Sequence, residues 1–117
     1  MTEPTRIFHN PRCSKSRQTL ELLTERGIEP VIIRYLETPP TEQELKDILD
    51  ALKLRPRDLI RTGENEYKEQ GLNNPDLSDE QLIAAMIATP KLIERPIVIA
   101  NGKAALGRPP ENVLSIL

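Results

Sequence analysis

The stretch His9-Asn10-Pro11-Arg12-Cys13-Ser14-Lys15-Ser16-Arg17 carries the only cysteine and the only histidine of the chain, set among three cations. The thiolate is the reactive form of cysteine, and its pKa falls from about 8.5 when the sulfur sits at a helix N-terminus or beside cations. Asn10-Pro11 is loop punctuation and good helix formers follow from Ser14, so Cys13 stands at a helix start. The partial positive charge and unpaired N–H groups of that helix end favour an anion, either the thiolate or an oxyanion docked beside it. Arg17 lies about one turn past Cys13, from where a guanidinium can return to the same face. His9 can serve as a general base, as a cationic neighbour, or merely as a polar cap on the preceding strand. A cysteine kept as a small hydrophobe belongs in an apolar pattern, which this loop lacks.

Spacing narrows the chemistry. Cys13-Ser14-Lys15-Ser16 reads as Cys-x-x-Ser, a thiol-disulfide site with its second cysteine replaced, so a redox cycle needs a thiol from outside. A phosphate-cradling Cys-x5-Arg loop is excluded because Thr19 holds the sixth position after Cys13. No metal site is expected, since one cysteine and one histidine do not complete one. A formal net charge of -2 gives no general attraction to nucleic acid or to an anionic membrane. A lone cysteine cannot close an internal disulfide, and no signal peptide is visible, so a cytoplasmic protein is expected.

The elements that must position the thiol are legible from pattern. With 117 residues, 38% of them hydrophobic and 29% charged, one soluble domain spanning 1–117 is expected. Thr5–His9 reads as a strand, Ser14–Arg26 as a helix stopped by Gly27, and Pro30–Tyr35 as a second strand, giving a β-α-β unit with parallel strands. Capping boxes at Thr41–Glu44 and Ser78–Gln81 open two helices, with Arg55–Arg61 as a short helix and less regular pieces as far as Pro75. Pro96–Ala100 and Lys103–Gly107 flank Asn101-Gly102, the pair expected of a type I′ hairpin. Pro109-Pro110 then begins a last helix with Val113, Leu114 and Leu117 on its apolar side. The fold class is α/β, in the order β-α-β, helices, β-β hairpin, α.

Beyond these patterns, "FHNPRCSKSRQTLELL", "VIIRYLETPPTEQEL", "RDLIRTGENEYKEQGL" and "DEQLIAAMIATPKLIERPIVIANGKAALGRPPENVL" together resemble the glutaredoxin-coupled arsenate reductase family almost end to end. The resemblance implies a thioredoxin-like fold with a helical insertion and a catalytic Cys13. It implies that His9 helps lower the thiol pKa, that Ser16 lies at the foot of the active loop, and that Arg61, Arg95 and Arg108 surround the oxyanion. Arg95-Pro96 is then a plausible cis bond at the start of the strand facing the cysteine. Arsenate is the implied substrate, glutathione the co-substrate and glutaredoxin the protein partner, with no bound cofactor and a monomer expected. Substitution of Arg95 or Arg108 is expected to weaken arsenate handling while sparing alkylation of the thiol. Arg12, Ser14 and Lys15 depart from the small or neutral residues of some members, and the chain resembles the shorter branch of the family.

Two other readings use the same fold. A glutathione-dependent thiol reductase needs Cys13 but not all three arginines. A non-catalytic regulatory module, like the related proteins that bind RNA polymerase, would often carry Cys-x-x-Cys where this chain has Ser16.

Overall fold

A computed structural model describes residues 4–117 and divides the chain into two compact units, one ending at Thr38 and resuming at Arg95, the other spanning Pro39–Glu94. The first unit is built on a four-stranded sheet in the order β2-β1-β3-β4. β1 (Arg6–Phe8) pairs in parallel with β2 (Val31–Ile33), and the connection between them is helix α1 (Ser14–Glu25). β1 also pairs antiparallel with β3 (Ile97–Ala100), which turns into β4 (Lys103–Leu106). Asn101 and Gly102 both have positive φ, 55° and 73°, as a type I′ turn requires at its two central positions. A parallel β-α-β unit followed by an antiparallel pair is the thioredoxin-like arrangement, and the second unit interrupts it between β2 and β3.

The core of the first unit lies between the sheet and α1, where Ile7, Leu23, Val98 and Val113 have no solvent exposure. Leucine spacing predicted the apolar side of α1 at Leu20, Leu22 and Leu23. Leu23 is fully buried and Leu20 and Leu22 pack against the same core, as expected, but Ser16 and Thr19 are buried too, so two polar side chains occupy core sites. The last element also differs from expectation: Pro110–Ile116 forms a 3₁₀ helix rather than an α-helix, and it buries Val113 and Ile116. Their spacing of three fits three residues per turn. The second strand is shorter than its β-branched run, because the Arg34 carbonyl accepts from the N–H groups of Glu37 and Thr38 and turns the chain. β2 is an edge strand, with Val31 and Ile32 exposed.

In the second unit, α2 (Glu42–Leu52) and α5 (Asp79–Ala88) begin with the expected capping boxes, Thr41 with Glu44 and Ser78 with Gln81. α5 packs on α2 and on the short α3 (Pro56–Leu59), burying Leu45, Leu49, Leu59, Leu82 and Met86. α4 (Asn65–Glu69) supplies the one regular turn of the segment between α3 and α5. An isolated antiparallel bridge joins Ile60 to Ile93. Among the described residues no helix is long and apolar enough to cross a membrane.

Candidate active site

The loop between β1 and α1 is held by its own polar groups. Asn10 makes three bonds: its N–H donates to Ser16 Oγ (3.0 Å), its Oδ1 accepts from the Arg12 N–H (3.0 Å), and its carbonyl accepts from the Cys13 N–H (3.0 Å). His9 is tied to the edge strand through its N–H and the Ile33 carbonyl (2.9 Å). Its Nδ1 lies 2.6 Å from Ser16 Oγ, and His9, Asn10 and Ser16 are all buried. Cys13 is the N-cap of α1, with extended backbone (φ −93°, ψ 122°), and its side chain is partly exposed.

At that position two opposing influences act on the sulfur. Burial pushes the Cys13 thiol up, while the Ser16 N–H, the Arg95 guanidinium as both donor and charge, and the Lys15 N–H pull it down. The second group prevails, and the thiol sits below its ordinary value. The helix-end N–H groups therefore act as expected, but the decisive cation is Arg95 from the strand side and not Arg12, Lys15 or Arg17. Arg17 instead donates from Nη1 to the Pro11 carbonyl (3.0 Å).

His9 plays a different part from that of a cationic neighbour. Burial, then the charges of Arg34 and Arg17, lower its pKa and favour the neutral ring. The Ser16 hydroxyl has one proton to give. Its oxygen accepts the Asn10 N–H, and its proton is satisfied on His9 Nδ1 when the ring proton is on Nε2. The His9 ring thus acts on the helix start through Ser16.

The arginines come from separate segments. Arg95 precedes Pro96 through a cis peptide bond, as anticipated, and its guanidinium bonds the Cys13 thiol. The Arg108–Pro109 bond is also cis, which the sequence reading had not anticipated. Arg108 Nη1 donates to the Arg95 carbonyl (3.3 Å), so the two arginines are linked. Arg61 belongs to the second unit, where Nε lies 3.2 Å from Glu64 and Nη1 lies 2.6 Å from Glu94. The bridge fixes this pairing: the Arg61 N–H donates to the Leu92 carbonyl (2.7 Å) and the Glu94 N–H to the Leu59 carbonyl (2.9 Å). Of the residues expected from sequence, Ser16 and Arg95 act on Cys13 directly, His9 is bonded to Ser16, Arg108 is bonded to the Arg95 backbone, and Arg61 engages two carboxylates within the second unit.

The model of the ArsC family matches residues 8–116. The chain belongs to the ArsC family. It is 55% identical to the uncharacterized protein YfgD of Escherichia coli K12, covering 100% of this chain and 99% of that protein. It is 54% identical to the arsenate reductase of Neisseria meningitidis serogroup A, covering 96% of this chain and 97% of the relative. Among solved structures, the arsenate reductase from Vibrio cholerae superposes with a TM-score of 0.96 at 52% identity, and each chain is covered in full, 100%.

Three supports of this ArsC site escaped the sequence reading. Asn10 reads as turn punctuation, yet its carboxamide and backbone set the entry to the helix. Thr19 looks like an ordinary helical residue, yet its hydroxyl donates to the Lys15 carbonyl (2.8 Å) and reaches the Gly107 carbonyl (3.4 Å). Gly107 ends the hairpin, and its N–H donates to the Pro96 carbonyl (2.9 Å). A Cβ there would run into Thr19 Oγ1 and lie 2.7 Å from Pro96 Cγ. Glycine lets α1 approach the segments that carry Arg95 and Arg108. Only the adjacency of Gly107 to Arg108 hinted at this, and adjacency alone does not reveal a close approach.

Proposed function

We propose that the protein is an arsenate reductase using glutathione as reductant and glutaredoxin to regenerate the enzyme. The observation that carries this reading is the Arg95 guanidinium bonded to a Cys13 thiol of lowered pKa at a helix N-cap, in an ArsC chain. A thiolate is a nucleophile, and a guanidinium beside it is matched to the oxygens of a tetrahedral oxyanion.

In the proposed sequence, Cys13 thiolate attacks arsenic(V) and a sulfur–arsenic bond replaces one arsenic–oxygen bond, with water or hydroxide leaving. Arg95 and Arg108 offset charge on the remaining oxygens. Glutathione then attacks the Cys13 sulfur. The sulfur–arsenic electron pair stays on arsenic, which leaves as arsenite, and a Cys13–glutathione disulfide forms. The two sulfurs supply the two electrons that arsenic gains. Glutaredoxin exchanges this mixed disulfide and restores the thiol. His9 and Ser16 hold the helix start so that the Lys15 and Ser16 N–H groups stay aimed at the sulfur. Glutathione and glutaredoxin as partners agree with a cytoplasmic location.

A glutathione-dependent thiol reductase is the second reading, favoured by one observation: Arg61 is already paired with Glu64 and Glu94. The test is arsenate-dependent NADPH oxidation by the purified protein with glutathione, glutaredoxin and glutathione reductase, using Cys13→Ser as control. Native protein should turn over and Cys13→Ser should lose at least about 10³-fold, since removal of a catalytic nucleophile can cost about 10⁶-fold. A folded protein with an alkylatable thiol but no signal above that control would sink the arsenate reading.

A further inference from the structure

Beside the thiol loop lies a depression of about 170 Å³ that the reaction described above does not use. His9 and Asn10 contribute buried surface to it, Arg12 lines it from the loop, and Arg34, Leu36 and Glu37 line it from the turn after β2. Arg12, Arg34, Leu36 and Glu37 are exposed. Among the described residues, none of Arg12, Arg34 or Glu37 takes part in a salt bridge. Two cations and a carboxylate around one small hollow, with Leu36 between the charged positions in sequence, are suited to a ligand carrying both charges close together on a short carbon frame. That is the head group of a free amino acid.

Size and register favour one bearer of such a head. Sites that engulf a drug-sized ligand enclose about 300–1,000 Å³, so this hollow holds one head group and leaves the rest of a larger ligand outside. Arg12 is bonded directly to Cys13, and neighbouring Cα atoms are about 3.8 Å apart. A ligand anchored here would present its next residue to the thiol. In glutathione the residue next to the zwitterionic γ-glutamyl head is the cysteine.

We propose that this depression seats the γ-glutamyl head of glutathione, with its α-carboxylate on Arg12 and Arg34, its α-ammonium on Glu37, and its glycyl end outside. The proposal rests on the reading of glutathione as reductant. It adds a specificity site distinct from the arginines assigned to the oxyanion.

S-methylglutathione, which cannot form a disulfide, provides the probe, and S-methylcysteinylglycine is the same ligand without its γ-glutamyl head. Binding of both to the native protein and to the Arg34→Glu/Glu37→Lys variant is followed by amide chemical shifts. The native protein should prefer S-methylglutathione at least tenfold, with shifts at residues 9–12 and 34–37, and the variant should lose most of that preference. Its rate of Cys13 alkylation by iodoacetamide should stay native, which reports a folded loop. Equal affinity of the native protein for the two probes, an unchanged preference in the variant, or shifts centred elsewhere would each overturn the site. The reading beneath it fails separately: coupled turnover that does not depend on glutathione removes the reductant, whatever the probes bind.

Discussion

Charge is handled in opposite ways in two regions of this molecule. Around the thiol loop, Arg12, Lys15, Arg17 and Arg34 form no salt bridge among the described residues, while the uncharged polar groups of Asn10, Ser16 and the neutral His9 are buried and bonded to one another. In the helical unit, Arg61 and Lys91 are matched by Glu64, Glu66 and Glu94 in partly exposed ion pairs. Paired surface charges cancel each other's field and add little stability. Unpaired cations over a rigid, satisfied loop keep their field for an arriving anion. A net charge of -2 describes neither region, because the average conceals where the carboxylates stand.

After loss of the Cys13 nucleophile itself, the largest effects should come from the arginines on the thiol side. A hydrogen bond to a charged group contributes about 1.5–3 kcal/mol, so Arg95→Ala and Arg108→Ala should each reduce arsenate turnover about 10- to 100-fold. They should part on alkylation. Arg95 bonds the sulfur and holds its pKa down, so Arg95→Ala should move the pH profile of iodoacetamide alkylation to higher pH and slow the reaction at neutrality. Arg108 contacts the Arg95 carbonyl, and Arg108→Ala should leave the profile in place. This revises the expectation from sequence that both substitutions spare the thiol. An unmoved profile in Arg95→Ala would assign the lowered pKa to the backbone N–H groups alone.

Stability should sharpen the same contrast. Ser16→Ala strips a partner from both His9 Nδ1 and the Asn10 N–H, and a buried unsatisfied group costs about 1–3 kcal/mol. Urea unfolding at neutral pH should show that loss. His9 adds a sign. Its folded pKa is below its ordinary value near 6.5, so between the two the unfolded chain binds more protons and stability falls as pH falls. Acidifying from about pH 7 should weaken the native protein in that window, and His9→Gln should flatten the local slope.

Much of this was legible because it is local. The helix start at Cys13, both capping boxes and the Asn101-Gly102 turn depend on residues a few positions apart. The polar core positions were not, because Ser16 and Thr19 are buried only when His9 and Gly107 arrive from other elements. The same limit applied to charge. Arg12, Lys15 and Arg17 are neighbours of Cys13 in sequence, yet the cation on the sulfur is Arg95, brought across by the pairing of β1 with β3. Family resemblance supplied Arg95, Arg61 and Arg108 as a set but could not show that Glu94 and Glu64 hold Arg61.

The smallest effect belongs to the exposed network. Lys91 Nζ lies 2.6 Å from Glu66 and 3.7 Å from Glu64, with nearly half of its side chain in water. Lys91 holds the Glu66 carboxyl below the usual range, and Glu66 raises Lys91. The Glu66 contribution is therefore present above its ordinary pKa and lost as pH falls through the lowered one. The Lys91 contribution is lost as pH rises through the raised one. Between these limits solvent and salt screen the pair, so Lys91→Ala should shift the urea midpoint far less than Ser16→Ala, and added salt should erase the Lys91→Ala shift. Glu64 is shared between Lys91 and Arg61, so removing Lys91 leaves Glu64 to Arg61 alone. If the Lys91→Ala shift matched that of Ser16→Ala and survived salt, the ion pairs would be structural supports equal to the buried loop, and the division drawn between the two regions would fail.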